Sequence, residues 1–409
     1  PLNNNNKLYP SASLGFVLSD VIDLPEAISY LKLRGSWAQV AYDADPYSTL
    51  LTYSLQGAHQ GNAFGTIAQG TIPNQTLEPT TKEETEFGFE ARFWGGRMSL
   101  DAAVYNNRTF NQILSADVSN ASGFWSRVIN SGEIANKGVE LEIRAIPVET
   151  SDLTWSVNLN WSRNRNEVVS LKEGQTSIQL DESRVRTAYI FAEVGQPYGV
   201  IKGFKYLRDA AGNIVHNSTS GLPMRESSAS ILGNSNADWI SGLTNTVRYK
   251  KMTISALIDT RWGGQLFSGT NAFAYWSGNH INTLPGRENF SNFVGAGVNQ
   301  NGERNTKAAT VKDYYSQIGL NIAEPFIYDA TYIKLRSFSI GFELPKQLVS
   351  KAGIRQATLS LVGRNLAILY KKVPNVDPES AINNGNAQGL ELYGAPQTRN
   401  VGFNLNLKF

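Results

Sequence analysis

The chain has 409 residues, a net charge of +2, no Cys and 41% hydrophobic residues. Near-neutral charge without a Lys/Arg run gives no case for nucleic acid, and the missing Cys excludes a disulfide scaffold or a thiolate metal site. No window approaches the roughly 18 consecutive apolar residues of a spanning helix, while 8 Trp, 17 Tyr and 18 Phe among abundant Gly, Asn, Ser and Thr make a β composition.

The opening PLNNNNKLYP reads as a loop without a signal peptide, entering a strand almost at once. Ala12, Leu14, Phe16 and Leu18 then alternate with Ser13, Gly15 and Val17. In the next strand Leu31, Leu33 and Trp37 face one way and Lys32, Arg34 and Ser36 the other. A long polar segment runs from Ala41 to about Glu83, unusual inside a compact soluble domain. Phe87, Phe89, Ala91 and Phe93 form one strand face, Gly95–Gly96 a hairpin turn, and Leu100, Ala102 and Val104 the return. After a second long connection, Val139, Leu141, Ile143 and Ala145 alternate with Glu140, Glu142 and Arg144. Leu153, Trp155, Val157, Leu159 and Trp161 follow a short turn.

A third long segment, about Arg163 to Asp238, holds an expected excursion strand (Val200 to Leu207) and a turn at Asp209 to Asn213. Leu243, Val247 and Tyr249 lead through Lys250–Lys251 to Ile254, Ala256, Ile258 and Trp262. A fourth long segment, Gly263 to Ala330, precedes Tyr332 to Leu344, where the apolar phase slips between Leu335 and Phe338. That slip requires a bulge. Ala357, Leu359 and Leu361 form the next strand, and a fifth long loop spans Ala367 to Gln397. The chain closes on VGFNLNLKF, whose apolar row Val401, Phe403, Leu405, Leu407 and Phe409 ends on the last residue. Long and short connections alternate between eleven strands, the pattern of an outer-membrane antiparallel β-barrel with long extracellular loops and short periplasmic turns. Eleven is odd, whereas bacterial single-chain barrels have even counts, so residues 1–409 are expected to be one domain, the back part of a larger barrel.

Glu140, Glu142 and Arg144 fit a polar lumen wall better than an acid–base site, because no His or nucleophile accompanies them. The three His (His59, His216, His280) fall in expected loops without metal spacing, so neither metal, cofactor nor enzymatic activity is expected. Trp37, Trp94, Trp155, Trp161, Trp239 and Trp262 lie at or near strand ends, where an interfacial girdle belongs.

Several stretches resemble the C-terminal part of SusC-type TonB-dependent outer-membrane transporters. The clearest is ILGNSNADWISGLTNTVRYKKMTISALIDTRWGGQLFS (Ile231 to Ser268). ISYLKLRGSWAQV, NSGEIANKGVELEI, YDATYIKLRSFSIGFELP, LSLVGRNLAIL and the closing NVGFNLNLKF match in the same order. The resemblance implies a 22-stranded barrel of which this chain supplies the last eleven strands, with an N-terminal half, a plug domain and the TonB-engaging segment upstream. It also implies a SusD-like lipoprotein lid, an oligosaccharide or peptide substrate, and lipid or lipopolysaccharide against the outward face. The family often carries an Asp–Gly-rich turn before Ile231, where LRDAAGNIV keeps only Asp209; a cation is not expected there.

Aromatic and amide side chains in long loops suit sugar faces and peptides alike: Trp125, Tyr275, Trp276, Asn279, Tyr314, Tyr315 and Tyr393 are the candidate substrate contacts. Packing of the loops on one another or on the lipoprotein is the competing reading for each. The row Phe403, Leu405, Leu407 and Phe409 resembles the recognition signal of the barrel-assembly machinery. The competing classes are a soluble secreted carbohydrate-binding β-protein and a related barrel acting as adhesin or secretion pore.

Overall fold

The computed structural model describes residues 8–409 except Tyr47, Ala68, Gln69, Ser131, Lys172 and Glu173. The opening loop expected at Pro1–Lys7 lies outside the described residues.

Eleven strands pair antiparallel in chain order: β1 Ser11–Val17, β2 Ile28–Tyr42, β3 Thr80–Phe93, β4 Met98–Phe110, β5 Glu133–Glu149, β6 Leu153–Ser170, β7 Trp239–Tyr249, β8 Met252–Trp262, β9 Tyr332–Glu343, β10 Gln356–Lys371 and β11 Asn400–Lys408. Connections 18–27, 94–97, 150–152, 250–251 and 344–355 are short. Those at 43–79, 111–132, 171–238, 263–331 and 372–399 are long and lie at the opposite rim, the mouth. The 94–97 turn needs its glycines, because Gly95 and Gly96 sit at φ 67° and 90°.

Register separates the two faces. Directly opposed residues run Leu31–Ala91–Leu100–Ile143–Leu159–Leu243–Ile258–Leu335 across β2 to β9, every one apolar. The adjacent row runs Lys32–Glu90–Asp101–Glu142–Asn160–Gly242–Asp259–Lys334, with no large apolar side chain. A single twisted sheet cannot bury the first row against itself, and Phe403 (80% exposed) and Val401 (69%) lie bare on the closing strand. An apolar face of this extent is far beyond the few hundred Å² a soluble monomer tolerates, so it faces lipid and the polar row faces the lumen. The soluble reading fails on this register.

Girdle positions follow. Trp239 and Trp262 oppose each other at the mouth end of β7 and β8 and stack at 5.7 Å and 5°; Trp94 and Trp155 sit at the short-turn end. Acidic neighbours on the lumen wall are offset by cations: Arg34 bridges Asp101 (2.7 Å) and Glu86, Arg92 meets Glu90 (2.7 Å), and Arg144 meets Glu142 (2.5 Å).

Several strands outrun their sequence signal. β6 continues to Ser170, eight residues past its last alternating polar residue Ser162, and β5 begins at Glu133 rather than near Val139. Beyond the hydrocarbon, outward residues need not be apolar, so the ladder persists while the pattern fades. The phase slip in β9 is a bulge: Leu335 opposes Ile258 and Ser337 opposes Leu257, leaving Arg336 the extra residue.

Ile258→Lys, in the middle of the apolar row, should lower unfolding free energy in lipid vesicles by about 2–4 kcal/mol. Asn160→Lys, on the lumen row, should stay within about 0.5 kcal/mol of the parent. Denaturant titration of both variants checks the assignment of faces.

Candidate functional site

The chain's main buried core lies at the mouth rather than in the wall. Connection 171–238 adds a four-stranded sheet (Ser177–Glu182, Ala188–Glu193, Val200–Gly203, Ser230–Asn234). Its Ile178, Leu180, Ile190 and Ile201 pack with Phe267, Ala272, Ile318, Phe326 and Leu390 from the next two connections. Two helices complete the layer: α1 Gly269–Trp276 and α2 Val311–Asn321. They cross at Gly319, where a Cβ would stand 2.4 Å from the Ala272 carbonyl oxygen.

Local chemistry starts both helices. Ser268 caps α1 by accepting from Asn271 N–H, and Thr310 caps α2 by accepting from Asp313 N–H. The buried Glu391 carboxylate accepts from Ser268 Oγ (2.7 Å) and Thr270 Oγ1 (2.5 Å) at the start of α1, tying connection 372–399 to that helix. Thr310-x-x-Asp313 before an apolar helix face is a helix-start signal legible in the sequence of this long connection.

The structure divides the seven candidate contacts. Tyr314 and Tyr315 are buried (8% and 7% exposed), and half-buried Tyr275 packs edge-on against Tyr315 and Phe326. Burial pushes the Tyr314 hydroxyl up to about 12, and the Tyr315 hydroxyl donates to Pro285 O at 3.3 Å. These three hold the layer together. Trp276 and Tyr393 are exposed and flank Phe273, with ring centroids 5.8 and 5.4 Å from it, making one aromatic platform. Asn279 follows α1 in the open, and Trp125 is 70% exposed in a separate connection. Tyr393 also borders a cavity of about 540 Å³ lined by Thr270, Asn365, Lys371, Asn375, Gln397 and Arg399.

Beside that cavity lies a charge cluster that sequence reading missed. Glu379, from connection 372–399, accepts from Tyr332 (2.8 Å), from Arg336 (2.6 and 3.0 Å), from Gln397 (3.2 Å) and from Lys334. Lys334 also donates to Asp377 (2.7 Å), and Arg336 to Asp259 (2.8 Å) and Asn365 (3.3 Å). The bulge thus turns Arg336 inward, where it pins the last connection to the wall. Burial alone would raise the Glu379 carboxyl, but hydrogen bonds from Arg336, Lys334 and Tyr332 outweigh it and hold it at about 2.

Of the histidines, His216 is fully buried with its ring stacked 5.9 Å from Tyr314. His280 caps a short turn by accepting from Asn282 N–H at 3.1 Å. Burial pushes both below the ordinary range. The His59 side chain lies outside the described residues. Asp209 spends both carboxylate oxygens inside its own turn, on Asn213 (2.8 and 2.9 Å) and Ala211 N–H (2.9 Å), and those bonds lower its pKa. Among the described residues no group of three His, Asp or Glu is placed to hold a metal.

The geometry is that of a lipid-facing wall with a folded mouth, and family comparison agrees. The model of the TonB-dependent receptor-like β-barrel matches residues 1–366. The chain belongs to this family, whose barrels sit in the outer membrane. TonB-dependent receptor P3 of Formosa agariphila is 24% identical over the whole chain, which covers 42% of that protein. TonB-dependent receptor SusC of Bacteroides thetaiotaomicron is 23% identical over 82% of the chain and 34% of its own length. The chain thus spans about two-fifths or less of these relatives. Among solved structures, the RagAB peptide importer in its closed-closed state matches all of the chain and 44% of its own at a TM-score of 0.74 and 17% identity, a likeness of fold.

Because Glu379 titrates lower folded (about 2) than free (4.5), its contribution is complete above about pH 4.5 and is lost as pH falls toward 2. Glu379→Gln should weaken docking of residues 372–399 by roughly 1.5–3 kcal/mol at neutral pH. Limited proteolysis should show faster cleavage there, with other connections unchanged.

Proposed function

We propose that this chain forms part of the wall and the mouth of a TonB-dependent outer-membrane importer that delivers oligosaccharides or peptides to the periplasm. The observation that carries this reading is the aromatic platform of Phe273, Trp276 and Tyr393 beside a polar cavity at the mouth. An apolar surface with a few convergent hydrogen-bonding groups is what a sugar ring or a peptide needs. Trp276, Asn279, Tyr393 and Trp125 are the contacts we assign to substrate; Tyr275, Tyr314 and Tyr315 belong to the packed core of the mouth layer instead.

The sheet is open, with β1 and β11 at its two ends and unpaired with each other. Lipid does not tolerate an unpaired edge. Further strands, from an N-terminal half that also carries a plug and the segment engaging TonB, close the barrel in this reading. A SusD-like surface lipoprotein would cover the mouth. The outward row of β11 ending in Phe409 would be read by the assembly machinery, so deleting Phe409 should reduce assembled protein in the outer membrane without changing substrate affinity; undiminished assembly would count against it.

The test is to purify the protein from its native outer membrane in mild detergent, identify co-purifying polypeptides and ligand by mass, and measure binding of that ligand. Trp276→Ala with Tyr393→Ala should weaken binding about tenfold, from two aromatic contacts worth roughly 0.5–1.5 kcal/mol each. Unchanged affinity with an intact fold would remove the platform from the site.

A further inference from the structure

Outward residues just beyond the apolar belt carry an unpaired basic patch. On β5 the belt ends at Val139 and the next outward residue is Lys137; on β6 it ends at Trp161 and the next two are Arg163 and Arg165. Register assembles them: Lys137 lies directly opposite Arg165, and Arg163 directly opposite Val139. All three are exposed. On β4, Arg108 stands two residues beyond Asn106, which opposes Lys137, and Arg108 is committed to Glu133 at 3.4 Å. Among the described residues Lys137, Arg163 and Arg165 enter no ion pair.

Like charges directly opposed across two strands are destabilising, so this arrangement calls for an anion. Arg108, Lys137, Arg163 and Arg165 line a cavity of about 1010 Å³, whose remaining wall includes Gln196, Pro197 and the carboxylates Glu167 and Asp238. Cations remain in excess. Same-face neighbours on a strand are ~7 Å apart, so the charges begin about one step past the hydrocarbon, at headgroup depth on the long-loop side. Beneath them Phe87, Val104 and Val139 offer exposed apolar surface in the belt's last row. The site is amphipathic: three cations over an acyl-chain surface. Strands β4 to β6 lie well inside the sheet, so strands added at β1 or β11 would leave this face toward lipid.

We infer that Lys137, Arg163 and Arg165 bind the phosphorylated headgroup of a lipid in the outer leaflet, whose acyl chains lie on Val104 and Val139. Guanidinium groups suit this ligand because each offers two parallel donors to phosphate oxygens, while Lys137 supplies a point charge. The inference does not depend on what the barrel imports.

The test uses the protein purified from its native outer membrane and returned to nanodiscs containing lipid extracted from that membrane, before and after phosphatase treatment. Native mass spectrometry reads the lipid retained. The parent should retain phosphorylated lipid at least tenfold over the dephosphorylated form, and K137Q/R163Q/R165Q should fall to the dephosphorylated level. K137R/R163K/R165K should keep the binding, and inorganic phosphate at matching concentration should not displace the lipid. Where the triple variant does not assemble, Arg165→Gln alone should lose at least threefold. Equal retention by the Gln variants and the parent, or by the two lipid forms, would overturn the proposal. Displacement by inorganic phosphate would overturn it as a lipid site, leaving an adventitious ion only.

Discussion

The wall rests on one constraint: in hydrocarbon no backbone N–H or C=O can be left without a partner, because no water is available to take it. A ladder of long antiparallel strands answers that demand, and it imposes a period of two on every side chain it carries. The row from Leu31 to Leu335 and its neighbour from Lys32 to Lys334 are the two phases of one pattern, repeated across eight strands. Shifting a single strand by one residue would put carboxylates such as Glu142 into lipid. Register is therefore fixed by solvation as firmly as by hydrogen bonding.

That same constraint decides where a core can form. A wall one sheet thick, between lipid and lumen, has no interior, and its side chains meet their surroundings rather than one another. Large buried side chains collect instead at the mouth, where connections of 69 residues or fewer fold into small sheets and helices around Phe267, Phe326 and Ile201. The mouth is an ordinary globular layer mounted on a membrane wall, and its stability comes from ordinary apolar burial.

This division explains what could be read from sequence. Strand number, faces, the hairpin at Gly95–Gly96 and the slip in β9 were legible, because each is a local consequence of the period. The mouth was not. α1 and α2 are short, and what holds them is remote in sequence: Glu391 reaches Ser268 and Thr270, while Gly319 lets α2 settle on Ala272. Aromatic residues such as Tyr314 and Trp276 look alike in a polar loop, yet one is buried and the other is exposed. The outward cations were invisible for a related reason. Lys137 and Arg165 are far apart in sequence and meet only through the β5–β6 register.

Wall and mouth meet at a break in the pattern. A regular β9 would have placed one more residue on an ordinary face; the bulge adds Arg336 and turns it inward beside Lys334. Two cations there would be costly to hold at a crowded lumen rim without counter-charges. Asp259 from the wall supplies one, while Asp377 and Glu379 from the last connection supply the others. The wall thus leaves a positive charge that a mouth segment must satisfy, and satisfying it fixes where that segment sits. Tyr393 and Gln397 follow on the same connection, so the position of the cavity wall depends on a bulge in the strand below it.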